Sequence, residues 1–132
     1  SGIINNINFK NKETSINFFS SFLSSKKENG SDTLRRPRKN YGLNIQKKLA
    51  NFYFQDFYIN LNYNHYGKHF DTHSSTFNTI LMDSTDLIDL KLTKKNKNKI
   101  YYLKITNLLN ENYERPHGYN QDRRIIKFGF KY

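Results

Sequence analysis

Apolar and polar residues alternate along most of this chain with a period of two, the pattern of a β-strand whose two faces meet different surroundings. The clearest instance is 56–64, where Phe57, Ile59, Leu61 and Tyr63 face one way and Asp56, Tyr58, Asn60, Asn62 and Asn64 the other. Six more segments read as strands. Over 3–10, Ile3, Ile7 and Phe9 share a side with Asn5; over 14–25, Ile16, Phe18 and Phe22 oppose Phe19 and Leu23. Tyr41, Leu43, Ile45 and Leu49 alternate with Gly42, Asn44, Gln46 and Lys48, and only Lys47 breaks the apolar side. Ile88, Leu90 and Leu92 alternate with Asp89 and Lys91, and Tyr101, Leu103 and Ile105 oppose Tyr102, Lys104 and Thr106. The last segment, 123–132, sets Ile126, Phe128, Phe130 and Tyr132 against Lys127, Gly129 and Lys131. No helical period persists; KKLANFYFQDF is rich in rings and runs into the clearest alternation, which favours strand.

The connections alternate between short and long. Tight turns are expected at 11–13, at 50–52 and at 95–98, and longer polar loops at 26–39, 69–83 and 110–122, the last carrying Pro116 and Gly118. A meander with two unequal rims, built of strands long enough to cross a hydrocarbon layer at a tilt, predicts an all-β, transmembrane, antiparallel up-and-down β-barrel. The side bearing Tyr58, Asn60, Asn62, Asn64, Asp89, Lys91, Tyr102, Lys104, Lys127 and Lys131 would face a polar lumen. The Leu, Ile and Phe side would face lipid, with Tyr63, Tyr101 and Tyr132 near strand ends at headgroup level. Seven strands are an odd number, and bacterial single-chain barrels close with an even one, so an incomplete barrel segment is expected.

Composition sharpens this reading. Hydrophobic residues make up only 36% of the 132 residues, yet there are 10 Tyr and 11 Phe, so the apolar material sits in large rings. The absence of Cys excludes disulfides and thiolate metal sites. No apolar run is long enough for a transmembrane helix, and the opening residues lack a signal-peptide pattern, so export information is expected upstream. A net charge of +11 draws the chain toward anionic surfaces, although an Asn- and Lys-rich composition also follows from A+T-rich coding.

Few residues carry candidate chemistry. Arg35, Arg36 and Arg38 cluster in a loop, where they form either a solvated charge run or a contact for lipopolysaccharide or an anionic ligand. His65, His69 and His73 recur every four residues, a spacing that gathers ligands only on a helix; Asp71 could join them only through loop folding, and no metal site is expected. Arg123 and Arg124 are candidates to pair with Asp122 or Glu114. No nucleophile elbow, phosphate loop, zinc motif or calcium loop is present, so neither an enzyme nor a cofactor is expected.

The final stretch, KITNLLNENYERPHGYNQDRRIIKFGFKY, resembles the close of TonB-dependent outer-membrane receptors. The matching elements are Asn107 and Leu108, the polar run Asn110 to Asn112, Tyr113, Gly118 and Tyr119, Arg123 or Arg124, and the aromatic terminus Tyr132. LRRPRKNYGLNIQKKL, FQDFYINLNYNHYGKHFD and DLIDLKLTKKNKNKIYYLKITNLLN are similar in order to the cobalamin-receptor branch. The resemblance implies that 1–132 is the carboxy-terminal part of such a barrel, integral to the bacterial outer membrane, without the plug domain or the TonB-contact segment. It implies uptake of cobalamin or an iron chelate as a small-molecule nutrient, with TonB engaged through the missing N-terminal parts. Ile126, Phe128, Phe130 and Tyr132 would form the strand recognised by the barrel-insertion machinery. The competing reading is a small basic nucleic-acid-binding β domain, whose rings would stack on bases beside Lys and Arg. Rings alternate along almost every strand, where such a module needs only a few platforms, so no nucleic-acid partner is expected.

Overall fold

A computed structural model describes residues 2–24, 26, 30–31, 33–49 and 56–132, and among them there are strands and connections but no helix. The strands are β1 (Gly2–Lys10), β2 (Thr14–Leu23), β3 (Lys39–Leu49), β4 (Phe57–Tyr66), β5 (His69–Thr72), β6 (Thr79–Met82), β7 (Thr85–Asn96), β8 (Lys99–Thr106) and β9 (Ile125–Lys131). Seven of them form one antiparallel sheet in the order β1-β2-β3-β4-β7-β8-β9, and β5 and β6 pair apart from it as a hairpin. The seven segments expected from alternation are the seven strands of the large sheet. The hairpin is a correction, since 69–83 reads in sequence as an unstructured connection. Its strands, HFDT and TILM, are too short for a period of two to stand out from loop composition. The turn expected around Ala50 to Phe52 lies outside the described residues.

The register turns the one-dimensional alternation into two faces. Phe9, Ile16, Ile45, Leu61, Leu90, Ile105 and Ile126 stand opposite one another in sequence, an unbroken apolar row across all seven strands. Above it run Ile7, Phe18, Leu43, Tyr63 and Ile88; below it Ile59, Leu92, Leu103 and Phe128. On the reverse face the corresponding row is Lys10, Ser15, Gln46, Asn60, Lys91, Lys104 and Lys127. A one-residue slip in any strand would exchange these faces, so the pattern itself fixes the register.

None of the described large hydrophobic residues is buried. Ile7 is 65% and Phe128 74% exposed, both on the apolar face. A water-soluble β domain buries one face against a second layer, whereas none of the described residues outside this sheet forms a second layer over its apolar face. The polar face is knit by side chains. Asn44 Nδ2 donates to the amide oxygens of Asn60 and Asn62 at 3.3 and 3.4 Å, and the Lys95 ammonium lies 4.9 Å from the centre of the Tyr58 ring. Gly129 in β9 lets the Tyr102 ring lie close against the backbone, since a Cβ there would come within 2.6 Å of the Tyr102 hydroxyl.

The two rims differ as the sequence predicts. Turns 11–13 and 97–98 stand at one, where β3 ends and β4 begins; the described part of 24–38, with segments 67–84 and 107–124, stands at the other. Near the long-loop rim the apolar face becomes polar. The Tyr63 hydroxyl donates to Asp86 Oδ1 at 2.7 Å, His65 Nδ1 lies 2.8 Å from the same oxygen, and the Tyr41 ring stacks on His65 at 4.4 Å. The sheet is open, with β1 and β9 at its edges.

Candidate ligand site

The three long segments meet at one carboxylate. Asp71, in β5 of the hairpin, is completely buried. Its Oδ1 accepts from Arg35 Nε at 2.8 Å and from its neighbour Thr72 N–H at 2.7 Å, and its Oδ2 accepts from the His117 N–H at 2.9 Å. One side chain therefore joins segments 24–38, 67–84 and 107–124. Backbone contacts reinforce the first junction: Arg35 N–H donates to the Phe70 carbonyl at 2.6 Å, and Leu34 bridges Phe70 in parallel. Burial opposes ionisation of Asp71, but the Arg35 guanidinium and the N–H groups of His117 and Thr72 outweigh it, so its carboxyl is held below the usual carboxylate range.

A second contact joins the hairpin turn to the last loop. His117 Nδ1 accepts from Ser74 N–H at 3.1 Å, the His73 and His117 rings lie 4.5 Å apart, and His73 Nδ1 accepts from the N–H groups of Ser75 and Thr76 at 3.2 Å. Gly118 (φ 82°) is required here on two counts: the left-handed backbone, and a Cβ that would come within 2.7 Å of Ser74. Its N–H donates to Glu114 Oε2 at 2.7 Å, so Glu114 is engaged within its own loop rather than by Arg123 or Arg124.

Between these segments opens a cavity of about 260 Å³, whose lining includes Arg35, Asn40, Tyr66, Asp71 and Arg115. Asn40 and Tyr66 are opposite one another on the polar face, so the cavity lies at the long-loop end of that face. The Arg115 guanidinium lies 4.0 Å from the centre of the Tyr66 ring and 5.8 Å from that of Tyr113. A guanidinium held over two aromatic rings, beside an Arg35–Asp71 pair, makes a surface suited to a ligand with anionic groups and flat unsaturated parts.

The structure gives the residues singled out from the sequence distinct places. Asn107 is buried and pins the last loop: its Oδ1 accepts from Glu111 N–H at 2.9 Å, its Nδ2 donates to the Glu111 carbonyl at 2.8 Å, and its own N–H donates to Asp89 Oδ1 at 2.9 Å. Leu108 N–H donates to the Ile88 carbonyl at 2.7 Å, and the Tyr113 carbonyl accepts from Gln121 N–H at 2.9 Å. Tyr119 is exposed, Arg124 N–H donates to Asn110 Oδ1 at 3.1 Å, and Arg123 lies exposed beside it. Of the three loop arginines, Arg35 reaches the cavity, while Arg36 and Arg38 line a neighbouring cleft. His65, His69 and His73 are not brought together: His65 meets Asp86, His69 is buried with Nδ1 3.4 Å from the Gly67 carbonyl, and His73 meets His117. Nothing in the local sequence marks Tyr66 or Arg115 as a ligand contact, and Asp71 enters the sequence reading only as a possible companion of the histidines, because the contacts that gather these residues join segments far apart in the chain.

No family model and no curated protein matches the sequence. Solved structures do. The chain superimposes on FpvAI in its complex with pyocin S2 with a TM-score of 0.85 at 13% identity, covering 98% of this chain and 18% of that one. FpvA of Pseudomonas aeruginosa bound to heterologous pyoverdines gives 0.84 at 12%, covering 98% and 19%. The ferripyoverdine receptor of the P. aeruginosa outer membrane, bound to ferripyoverdine, gives 0.84 at 13%, again covering 98% and 19%. The chain has the fold of one stretch of an outer-membrane receptor. It spans about a fifth of the length of these receptors. At such identity the shared property is the backbone path.

Proposed function

We propose that this chain is the carboxy-terminal barrel wall of a TonB-dependent outer-membrane receptor that takes up an iron chelate, and that it has no catalytic activity. One observation carries the reading: an apolar row crosses all seven strands of a single-layer sheet, with lysines and asparagines on the reverse and a loop-built cavity at one end of that reverse face. Such a sheet is stable when hydrocarbon covers one side and a polar lumen the other. The resemblance to the cobalamin branch concerns sequence order, whereas two of the superimposed structures are receptors bound to iron complexes of pyoverdines, and this favours an iron chelate over cobalamin. The plug and the TonB-contact segment are assigned to other parts of the same receptor. Arg35, Tyr66 and Arg115 are the proposed ligand contacts, and Ile126, Phe128, Phe130 and Tyr132 the strand offered to the insertion machinery.

The test uses the uninterrupted reading frame that contains the chain. Cells expressing it are expected to accumulate iron delivered as a catecholate or hydroxamate chelate, and Arg35→Ala/Arg115→Ala to lower that uptake at least tenfold while the protein remains in the outer membrane. Unchanged chelate uptake in that variant, or accumulation of cobalamin alone, would defeat the ligand assignment.

A further inference from the structure

The cavity between the long segments holds one group that the chain leaves unsatisfied. Asn40 Oδ1 is buried, and among the described residues nothing donates a hydrogen bond to it. Buried acceptors of this kind are rare, because each unmade hydrogen bond costs stability. Asn40 stands on β3 directly opposite Tyr66 on β4, is itself half-buried, and lines the cavity beside that ring. The torsion that carries a terminal amide is broad, so the oxygen turns readily toward a donor in the cavity. Pro37 and Pro116, which form part of the walls, have no backbone N–H to offer it.

Charge and size narrow the occupant. Arg35 and Asp71 meet at 2.8 Å, which leaves Arg115 as the one guanidinium of the lining without a carboxylate partner among the described residues. Held over the Tyr66 ring, it keeps its N–H edge for an anion. The volume of about 260 Å³ falls below the roughly 300–1,000 Å³ of a site that encloses a whole drug-sized molecule, so the cavity takes one arm of a chelate and not the chelate. We propose that this arm is amide-linked and ends in one carboxylate, that its amide N–H donates to Asn40 Oδ1 while its carboxylate pairs with Arg115, and that Asn40 thereby selects chelates carrying the N–H. An ester or an N-methylated amide of the same shape brings no donor and leaves the acceptor buried and unmet, the arrangement that gives a site strong discrimination. The inference rests on the iron-chelate reading above and names the part of the chelate that this wall reads.

The experiment uses the receptor from the full reading frame, purified in dodecyl maltoside and shown to be folded by heat-modifiable gel mobility. Its probes are the radioiron complex of a linear trihydroxamate peptide whose last arm ends in a carboxylate, and the same complex N-methylated at the amide of that arm. The parent is expected to bind the first about tenfold more tightly than the second. Asn40→Leu, which puts hydrocarbon of similar volume in place of the amide, should lower affinity for the first complex about tenfold and leave the second unchanged. It should not lower the unfolding temperature of the ligand-free receptor, because it removes an unmet acceptor. Equal affinity of the parent for both complexes overturns the role of Asn40. So does a loss in Asn40→Leu that is the same for both and comes with a lower unfolding temperature, the mark of a structural residue. Failure of both complexes to bind a parent that still takes up a ferric catecholate overturns the arm and leaves the iron-chelate reading standing. A folded parent that takes up no ferric chelate of either kind overturns the two together.

Discussion

Asp71 shows how much one side chain can decide at the scale of the residue. It is the one carboxylate among the described residues that is completely buried, and it satisfies two backbone N–H groups and a guanidinium from three segments at once. Asp71→Ala leaves the Thr72 and His117 N–H groups without their acceptor, at about 1–3 kcal/mol for each group that water cannot reach. The Arg35 side chain is 61% exposed, so solvent screens the ion pair and its own share is small. Hydrogen exchange is the measurement: protection of the Thr72 and His117 amides should fall about tenfold or more in the variant, while the amides of β4 and β7 keep theirs. The pH dependence has a definite sign. Because the folded carboxyl titrates below its ordinary range, its stabilisation is complete at neutral pH and is lost as pH falls through the folded value. Acidification below the carboxylate range should therefore loosen the same two amides in the parent protein and add little in the variant.

At the scale of the element, the large sheet was legible in the sequence and the loop architecture was not. Alternation over 57–63 and 88–92 fixes which residues share a face, because a sheet between two unlike media repeats every second residue. That is why Asn60, Lys91, Lys104 and Lys127 could be grouped before any register was known. The hairpin of β5 and β6 was invisible, since four residues carry too little pattern, and the junction at Asp71 depends on contacts between residues far apart in sequence. Asn107 was reached only through resemblance, although its φ of 53° and its capping of Glu111 explain why an asparagine stands there. The face assignment makes a sharp prediction. Leu61→Lys puts a charge in the middle of the apolar row and should cost about 2–4 kcal/mol in a bilayer. Lys91→Leu, on the polar face and in the strand next to it, should cost far less. The folded fraction in urea, read by gel mobility after reconstitution into phosphatidylcholine vesicles, separates the two; equal losses would mean that the faces are wrongly assigned.

The whole molecule is a curtain rather than a ball. Among the described residues its seven-stranded sheet has no second layer, and β1 and β9 each leave one side of their backbone unpaired in the sheet. Unpaired strand edges and an uncovered apolar face both drive association in water. The 132-residue chain by itself is thus expected to sediment as large assemblies in plain buffer and to disperse in detergent micelles. A monodisperse monomer in buffer at high concentration, seen by analytical ultracentrifugation, would contradict a membrane sheet and favour a soluble basic domain. Nucleic-acid binding by such a monomer would show the steep salt dependence of phosphate contacts.

The junction at Asp71 also bears on engineering. A loop can be exchanged as a module only where it keeps its form without its neighbours. Here 33–38, 69–83 and 113–119 share a single anchor, so transplanting any one of them into another scaffold removes the partners that shape it. A graft that carries all three together, with Asn40 and Tyr66 beneath them, is the smallest unit expected to keep its form.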